Sequence, residues 1–412
     1  MKIAVIGSGI SGLSAAYYLS KKHKVDLFEK NDHFGGHSHT LDLNINKKKI
    51  SADIGFIVFN YETYPNLINF FENNLIDIEE SNMSFSVSVK DTNFEYCGKG
   101  ISGMFCNTSN IINIKFLKMF FDIIKFYKKN ENLKIDDINL TLGDYLIKEK
   151  LSKEFIDYHI IPMVAAIWSM PPYEASQMPL KFFLKFFQNH GLFKLKNRPK
   201  WYTVSNRSRS YVNKILNKIS GEHYKNYKIN LIKRYKENVE IFYGEKNEFF
   251  TYDKVVIATH ADEALSLLEN PSKDEKKLLS NFKYKSNLAI IHTDKNQMPK
   301  NKKAWCAWNV KLNKNVKENS SVTYWLNVLQ NLKFDEDIFL SLNPFDKIDE
   351  HKILNKVKFT HPYYDKLALQ NQSGLKKLQN VNNTLFCGSY FGYGFHEDGI
   401  TSSIDMLKSI ND

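Results

Sequence analysis

The chain has 412 residues, more than one ordinary hydrophobic core organises, so two lobes are expected. Hydrophobic residues make up 43% with 30 Phe and 22 Tyr, so burial is not limiting and disorder is excluded. The formal charge of +12 rests on scattered lysines, with arginine at only four of 57 basic positions, which excludes an arginine-fork reader of nucleic acid and leaves a basic face toward an anionic membrane or acidic substrate.

Residues 2–6 (KIAVI) predict a buried parallel strand, 11–20 a helix, and 25–28 a second strand running into Glu29. Between the first strand and the helix stands Gly7-Ser8-Gly9-Ile10-Ser11-Gly12, followed by Ala15 and Ala16, which allow close helix packing. In that strand-turn-helix context the first glycine makes a tight turn and the second admits a pyrophosphate to the backbone, while the helix N-terminus offers free N–H groups. Glu29 falls 17 residues after Gly12, where a carboxylate accepts hydrogen bonds from ribose hydroxyls and disfavours a 2′-phosphate.

Residues 112–128 (INIKFLKMFFDIIKFYK) predict a helix with Lys115, Lys118, Asp122, Lys125 and Lys128 on one face and apolar residues around the rest. It reads either as a packed helix of the substrate lobe or as an interfacial helix at a bilayer, and LKFFLKFF at 180–187 adds to the second. Trp168, in AAIWSMPP, lines a substrate tunnel or sits in the core. Arg198, Arg207 and Arg209 lie within twelve residues and suit an anionic head group or, as the more ordinary reading, a solvated turn or interlobe ion pair.

Segments 229–235 and 239–243 predict an antiparallel ribbon, 252–259 (YDKVVIAT) an apolar strand ending in small residues, and 384–387 a last strand. A glycine-rich loop follows, then a helix from about Gly399. Nucleotide-type signals at the start, middle and end imply a discontinuous cofactor domain of residues 1–75, 206–279 and 371–412. Residues 76–205 and 280–370 form the substrate lobe. The fold class is α/β: a Rossmann-like domain of glutathione-reductase type plus a second, mixed α+β domain.

Cys97, Cys106, Cys306 and Cys387 show neither CxxC pairing nor metal spacing, so reduced core cysteines and no metal site are expected. The glycines of the apolar start argue against a signal peptide, and no run of 18 uncharged apolar residues occurs. The expected location is cytoplasmic, soluble or peripheral at the inner membrane face.

After Glu29-Lys30 comes Phe34-Gly35-Gly36-His37-Ser38-His39-Thr40, whose glycine pair lets the chain run close along a pyrophosphate. It resembles the glycine pair of flavin amine oxidases and phytoene desaturases, although arginine often follows the pair there and His37 does here. EKNDHFGGHSHT, ADIGFIVFNYETYPNL, MVAAIWSMPP, VVIATHADEAL, VTYWLN and FCGSYFGYGFHEDGI together resemble one family. It is that of NAD/FAD-binding proteins of the flavin amine oxidase superfamily, including the flavoprotein portion fused to plant cyclopropane fatty acid synthases. Its bacterial relatives include a flavin enzyme implicated in desaturating methylated fatty acyl chains on the way to furan fatty acids.

The resemblance implies non-covalent FAD, with covalent attachment through His37 or His39 the lesser alternative, and lipid as the leading substrate class. It implies that Asp53-Ile54-Gly55-Phe56-Ile57 runs beside the flavin ring, that Ile229 meets the adenine, and that Ala258-Thr259 approaches the cofactor. Gly388 then lies near the pyrophosphate and ribityl chain. Gly399 and Ile400 face flavin N1 and the C2 carbonyl, where a helix N-terminus stabilises developing negative charge.

The remaining chemistry concentrates in 390–398 (YFGYGFHED). His396 and Glu397 are candidate bases, and Tyr390 and Tyr393 a proton relay or stacking wall. The alternative is a helix cap, with Glu397 or Asp398 satisfying the first N–H groups. With these residues, the resemblance implies hydride abstraction from an unsaturated or methyl-branched fatty acyl chain, free or on phospholipid. The alternatives are a flavin amine oxidase, a double-bond isomerase, and an FAD-holding module that partners a lipid methyltransferase.

Overall fold

The computed structural model describes residues 1–246, 248–313 and 320–410. Two sheets divide the chain. A five-stranded parallel sheet runs in the order Thr384–Phe386, Lys254–Ile257, Lys2–Ile6, Lys24–Glu29 and His223–Lys225. Its strands come from the beginning, middle and end of the sequence, and its centre is Lys2–Ile6 (β1), where Ile3, Ala4 and Val5 are fully buried. A strand covered on both faces needs this unbroken apolar run. The helix Ile10–Leu19 (α1) connects β1 to Lys24–Glu29 (β2), and its residues from Ile10 to Ala16 are all buried.

The ribbon Ile229–Arg234, Val239–Tyr243 and Glu248–Tyr252 is three-stranded and antiparallel. The single strand expected over 252–259 is therefore two elements. The ribbon ends at Tyr252, Asp253 accepts a hydrogen bond from the Lys2 backbone N–H at 2.6 Å, and the parallel strand runs only from Lys254 to Ile257.

The second lobe is built on a mixed seven-stranded sheet, ordered Ile353–Tyr363, Lys283–His292, Phe339–Leu342, Ser320–Trp325, Trp308–Leu312, Phe85–Val89 and Glu95–Cys97. Helices Ile114–Asn130, Leu142–Lys148, Ile161–Trp168 and Leu180–Asn189 pack beside it around Phe116, Phe126, Phe155, Phe183 and Phe187. In that core His159 is clamped between the Tyr96 hydroxyl at its Nδ1 (2.8 Å) and the Tyr127 hydroxyl at its Nε2 (2.9 Å). All four cysteines are free, and Cys97, Cys106 and Cys306 converge, hydrogen bonds from the other two holding the Cys97 thiol well below its usual range. No helix among the described residues is long and apolar enough to cross a membrane.

The C-terminal helix spans His396–Lys408, three residues earlier than the sequence suggests, because Asp398 accepts the Phe395 N–H at 2.9 Å and closes the first turn. It lies alongside α1: Gly399 abuts Ser11, and Ser403 meets Ser14 at 2.7 Å. Both pairs ascend together, so the helices are parallel and their N-termini lie side by side.

Candidate functional site

The site begins where β1 turns into α1. Gly7 has φ +98°, and a Cβ there would stand 2.8 Å from the Ala258 carbonyl oxygen. Gly12 rests on the same turn so closely that a Cβ would fall 1.8 Å from the Gly7 carbonyl. Gly9, the N-cap of α1, supplies no side-chain cap, and a Cβ on it would meet nothing within 4 Å. Gly36, φ +57°, lies flat on Gly9, with a Cβ position 3.0 Å from the Gly9 Cα, and the Gly35 N–H donates to the Ser8 carbonyl at 3.1 Å. Two glycine turns from separate segments thus leave one open backbone face at a helix N-terminus, the surface a dinucleotide pyrophosphate fits.

Glu29 is buried at the end of β2. Its Oε2 accepts from the Ser8 N–H (3.1 Å) and hydroxyl (2.6 Å), and its Oε1 from the Asn31 N–H (2.9 Å) and side-chain amide (2.7 Å). Four donors occupy its four lone-pair sites. The two side-chain donors can rotate away for ribose hydroxyls, whereas the two backbone donors fix the carboxylate beside the glycine turn. Lys30 pairs with Glu263, and Ile229 is buried at the first residue of the ribbon. Ala258 N–H bonds the Ile6 carbonyl at 2.8 Å, which brings Ala258 and Thr259 to the edge of the glycine turn.

The adjoining floor is formed by two antiparallel segments. Ile54 and Phe56 donate to the His39 (2.9 Å) and His37 (2.7 Å) carbonyls, and a Cβ on Gly55 would lie 2.1 Å from the His37 oxygen, so only glycine fits between them. Phe56 stacks on His396 at 3.7 Å, and Ile57 turns into the core beside the second lobe. Asp53 is buried and accepts from Thr40 Oγ1 (2.6 Å) and from the Ser208 N–H (2.9 Å) and hydroxyl (2.7 Å). Burial pushes its carboxyl up. Gln330 pairs with both the N–H and the carbonyl of Asp53, tying the second lobe to the floor.

Over this floor four histidines gather from four segments. His37 faces His361 at 5.3 Å and His260 at 6.3 Å, and its Nε2 is buried without a partner. His260 stacks on Tyr284 at 4.1 Å, while His396 shares a 3.0 Å hydrogen bond with the Ser38 hydroxyl, which bonds Tyr211 in turn. Burial lowers all four: His361 to about 4, His396 to about 3, and His37 and His260 below the usual imidazole range. The site therefore presents neutral imidazoles at neutral pH. His260 and His361 escaped the sequence reading. His260 directly follows the small-residue strand end Ala258-Thr259, which could have pointed to it, but nothing in KFTHPYY marks His361.

The C-terminal candidates separate. Tyr390 is buried, packs on Phe282 and leaves its hydroxyl unpartnered. Gly388 sits over its ring and donates to Ser402 Oγ at 2.9 Å. Tyr393 joins an aromatic wall in which Phe182 lies 4.9 Å from Tyr393, Phe186 5.0 Å from Phe395, and Trp168 4.5 Å from Phe186. The Trp168 indole N–H donates to the Tyr393 carbonyl at 3.3 Å. Trp168, Met170, Lys285, His361 and Tyr363 line a narrow crevice.

Glu397 caps the helix Pro65–Asn73 (α2) rather than its own, accepting from the Asn66 (3.0 Å) and Leu67 (2.9 Å) N–H groups. Both oxygens are so engaged, which removes it from the role of a free base. Asp398 caps its own helix, and burial pushes its carboxyl up to about 7. Gly399 presses against Ile10 and Ser11, with Ile400 buried behind it.

The three clustered arginines take three different partners. Arg209 forks onto Asp42 (2.7 and 2.8 Å) at the surface, which leaves no free fork for a head group. Arg198 donates to the Lys194 carbonyl at 2.8 Å. Arg207 alone points inward, held at φ +73°, with one buried guanidinium nitrogen that makes no hydrogen bond and lies 4.0 Å from a Glu79 carboxylate oxygen.

A parallel Rossmann-like sheet with an open glycine cradle, a three-stranded ribbon and a second lobe make up a fold that also occurs in solved structures of an amine oxidase and a fatty acid isomerase. Residues 5–73 match the NAD(P)-binding Rossmann-like domain family. Over 79 residues, 19% of this chain, the sequence is 40% identical to a 1-hydroxycarotenoid 3,4-desaturase of Flavobacterium sp. (strain P99-3), of whose length the match spans 15%.

Among solved structures, the CLA-producing fatty acid isomerase from P. acnes superposes with TM-score 0.68 at 14% identity, over 98% of this chain and 97% of that one. Cyclohexylamine oxidase from Brevibacterium oxydans IH-35A superposes with TM-score 0.70, also at 14% identity, over 100% and 99%.

Proposed function

We propose that this chain is an FAD-dependent oxidoreductase that withdraws a hydride from an unsaturated or methyl-branched fatty acyl chain, free or phospholipid-borne. The observation that carries the reading is the aromatic wall of Trp168, Phe182, Phe186, Tyr393 and Phe395 at the glycine loop, an apolar surface whose neighbouring carboxylates, Glu397 and Asp398, are both consumed as caps. Such a surface holds a hydrocarbon by burial and offers no free anion to an ammonium group.

The cradle of Gly9, Gly36 and Glu29 would hold the adenosine and pyrophosphate, and the 53–57 floor the ring. FAD, when bound, supplies the hydride acceptor. The chain's own residues do the rest. The N-termini of α1 and of the C-terminal helix direct their positive ends to the same place, favouring negative charge there. Tyr393 and Trp168 hold the acyl chain, and the second lobe excludes water. His396, a neutral imidazole hydrogen-bonded to the Ser38 hydroxyl, is the group placed to receive the departing proton.

The test is anaerobic titration of the purified protein with methylated and plain unsaturated phospholipids, against putrescine and cyclohexylamine as rivals. Loss of the visible flavin band with lipid and none with amines is expected, and bleaching by amines alone overturns the lipid reading. Repeated turnover of lipid without any electron acceptor would instead identify a double-bond isomerase; the P. acnes protein is named a fatty acid isomerase. A flavin indifferent to every lipid, in a protein that captures a lipid methyltransferase, would identify a cofactor-holding partner module.

A further inference from the structure

The helix Ile114–Asn130 has two faces. Phe116, Met119, Ile123, Phe126 and Tyr127 pack into the lobe. The other face is the stripe Ile114, Lys118, Phe121, Lys125 and Lys128 at helical spacing, every residue of it exposed. Phe121 is 64% exposed and Ile114 81%, and the turn just before the helix adds Ile111 (56%) and Ile112 (84%). Ile101, 73% exposed, belongs to the same tip, because Phe105, at the end of its short helix, meets Phe120 at 5.6 Å beside Phe121. Five of the sixteen large apolar side chains exposed among the described residues thus fall within residues 101–121, where isolated exposed residues would be ordinary.

The charge along this segment has one sign. From 96 to 121 the sequence contains no Asp or Glu, and Asp122, the first acid, turns inward to accept the Ser152 N–H at 2.8 Å. Lys115, Lys118, Lys125 and Lys128 are exposed and form no ion pair among the described residues. Protruding apolar side chains ringed by unpaired lysines match the layering of a bilayer surface, hydrocarbon beneath anionic head groups. The same ring would oppose itself across a twofold contact, which disfavours a second copy as the occupant.

We propose that Ile101, Ile111, Ile112, Ile114 and Phe121, with Lys115, Lys118 and Lys125, dock this protein on an anionic lipid bilayer. The inference deepens the acyl-lipid reading and rests on it for its purpose, since a bilayer is where acyl chains are met. Its test reads binding without turnover, so the two can fail separately.

The experiment is sedimentation of the full chain with vesicles. Binding to phosphatidylcholine–phosphatidylglycerol vesicles is expected about tenfold above binding to phosphatidylcholine alone, falling steeply as salt is raised. The double substitution Ile112→Asp with Phe121→Asp lies outside the core, so circular dichroism should be unchanged while anionic-vesicle binding drops about tenfold or more. Leu75→Asp, at a residue 76% exposed elsewhere on the surface, should bind like the wild type. Absence of binding to anionic vesicles, or equal binding by the double variant, overturns the proposal. So does a dimer that Phe121→Asp dissolves, which would assign the patch to a second copy.

Discussion

Gly9→Ala should yield a folded protein stripped of its cofactor, whereas Gly12→Ala should fail to fold. The two glycines share a turn but meet different surroundings. A Cβ on Gly12 would stand 1.8 Å from the Gly7 carbonyl oxygen, a backbone atom that no side-chain rotation relieves. Relief requires opening the β1–α1 turn, a cost of about 3 kcal/mol or more. At Gly9 the backbone is extended (φ −62°, ψ 178°), which alanine adopts freely, and nothing stands within 4 Å. The new methyl group instead occupies the face a pyrophosphate must approach, and flavin retention should fall about tenfold or more. Circular dichroism melts and the flavin-to-protein absorbance ratio check both arms. Full flavin content in Gly9→Ala would count against the cradle.

Acid should unfold this protein at an unusually mild pH. Burial holds His159 near 3 and both His190 and His292 near 4, and all three are buried by side-chain accessibility as well. The folded values lie below the unfolded value of about 6.5, so the folded state keeps these rings neutral while the unfolded state takes up protons. Stability is complete above about pH 6.5 and is lost as pH falls toward the folded values. At pH 5 each ring removes about 2 kcal/mol, and three together remove about 6 kcal/mol, comparable with the whole stability of an ordinary domain. Asp53, Glu397 and Asp398 act oppositely, since burial raises their carboxyls and the folded state holds their protons more readily. Asp398, held near 7, begins its opposite effect at a similar pH and at pH 5 offsets about 3 of the about 6 kcal/mol lost by the rings, so the thermal midpoint should still fall between about pH 6.5 and pH 5. His159→Gln, which keeps hydrogen-bonding capacity between Tyr96 and Tyr127 and cannot titrate, should flatten the slope. A flat midpoint in the wild type would contradict the neutral-histidine account.

The cofactor half was legible in the sequence because its requirements are local. A turn that must admit phosphate needs glycine, a doubly covered strand needs an apolar run, and both are written in consecutive residues from Lys2 to Glu29. The discontinuity of the parallel sheet was legible for the same reason at four of its strands, whose apolar runs are local, whereas the edge strand His223–Lys225 has no such run and was not foreseen. The substrate side resisted because its geometry is set by long-range packing.

Glu397 sits beside a plausible proton donor and acceptor set in sequence, yet its oxygens serve the N-terminus of α2, more than three hundred residues earlier in the chain. The arginines at 198, 207 and 209 are neighbours in sequence but point to different partners, because a positive φ at Arg207 and a helix beginning at Ser208 turn them apart. The four-histidine cluster was invisible for the converse reason: His37, His260, His361 and His396 share no spacing and meet only when both sheets are assembled.

The measurement that tests the central claim most directly is the identity of what the purified protein carries. The protein should be yellow, and mild denaturation should release the colour as one FAD per chain, with none left covalently on His37 or His39. A colourless protein whose stability is unaffected by FAD, or one that releases a nicotinamide dinucleotide instead, would contradict the assignment of the Gly9–Gly36 cradle and of every role built upon it.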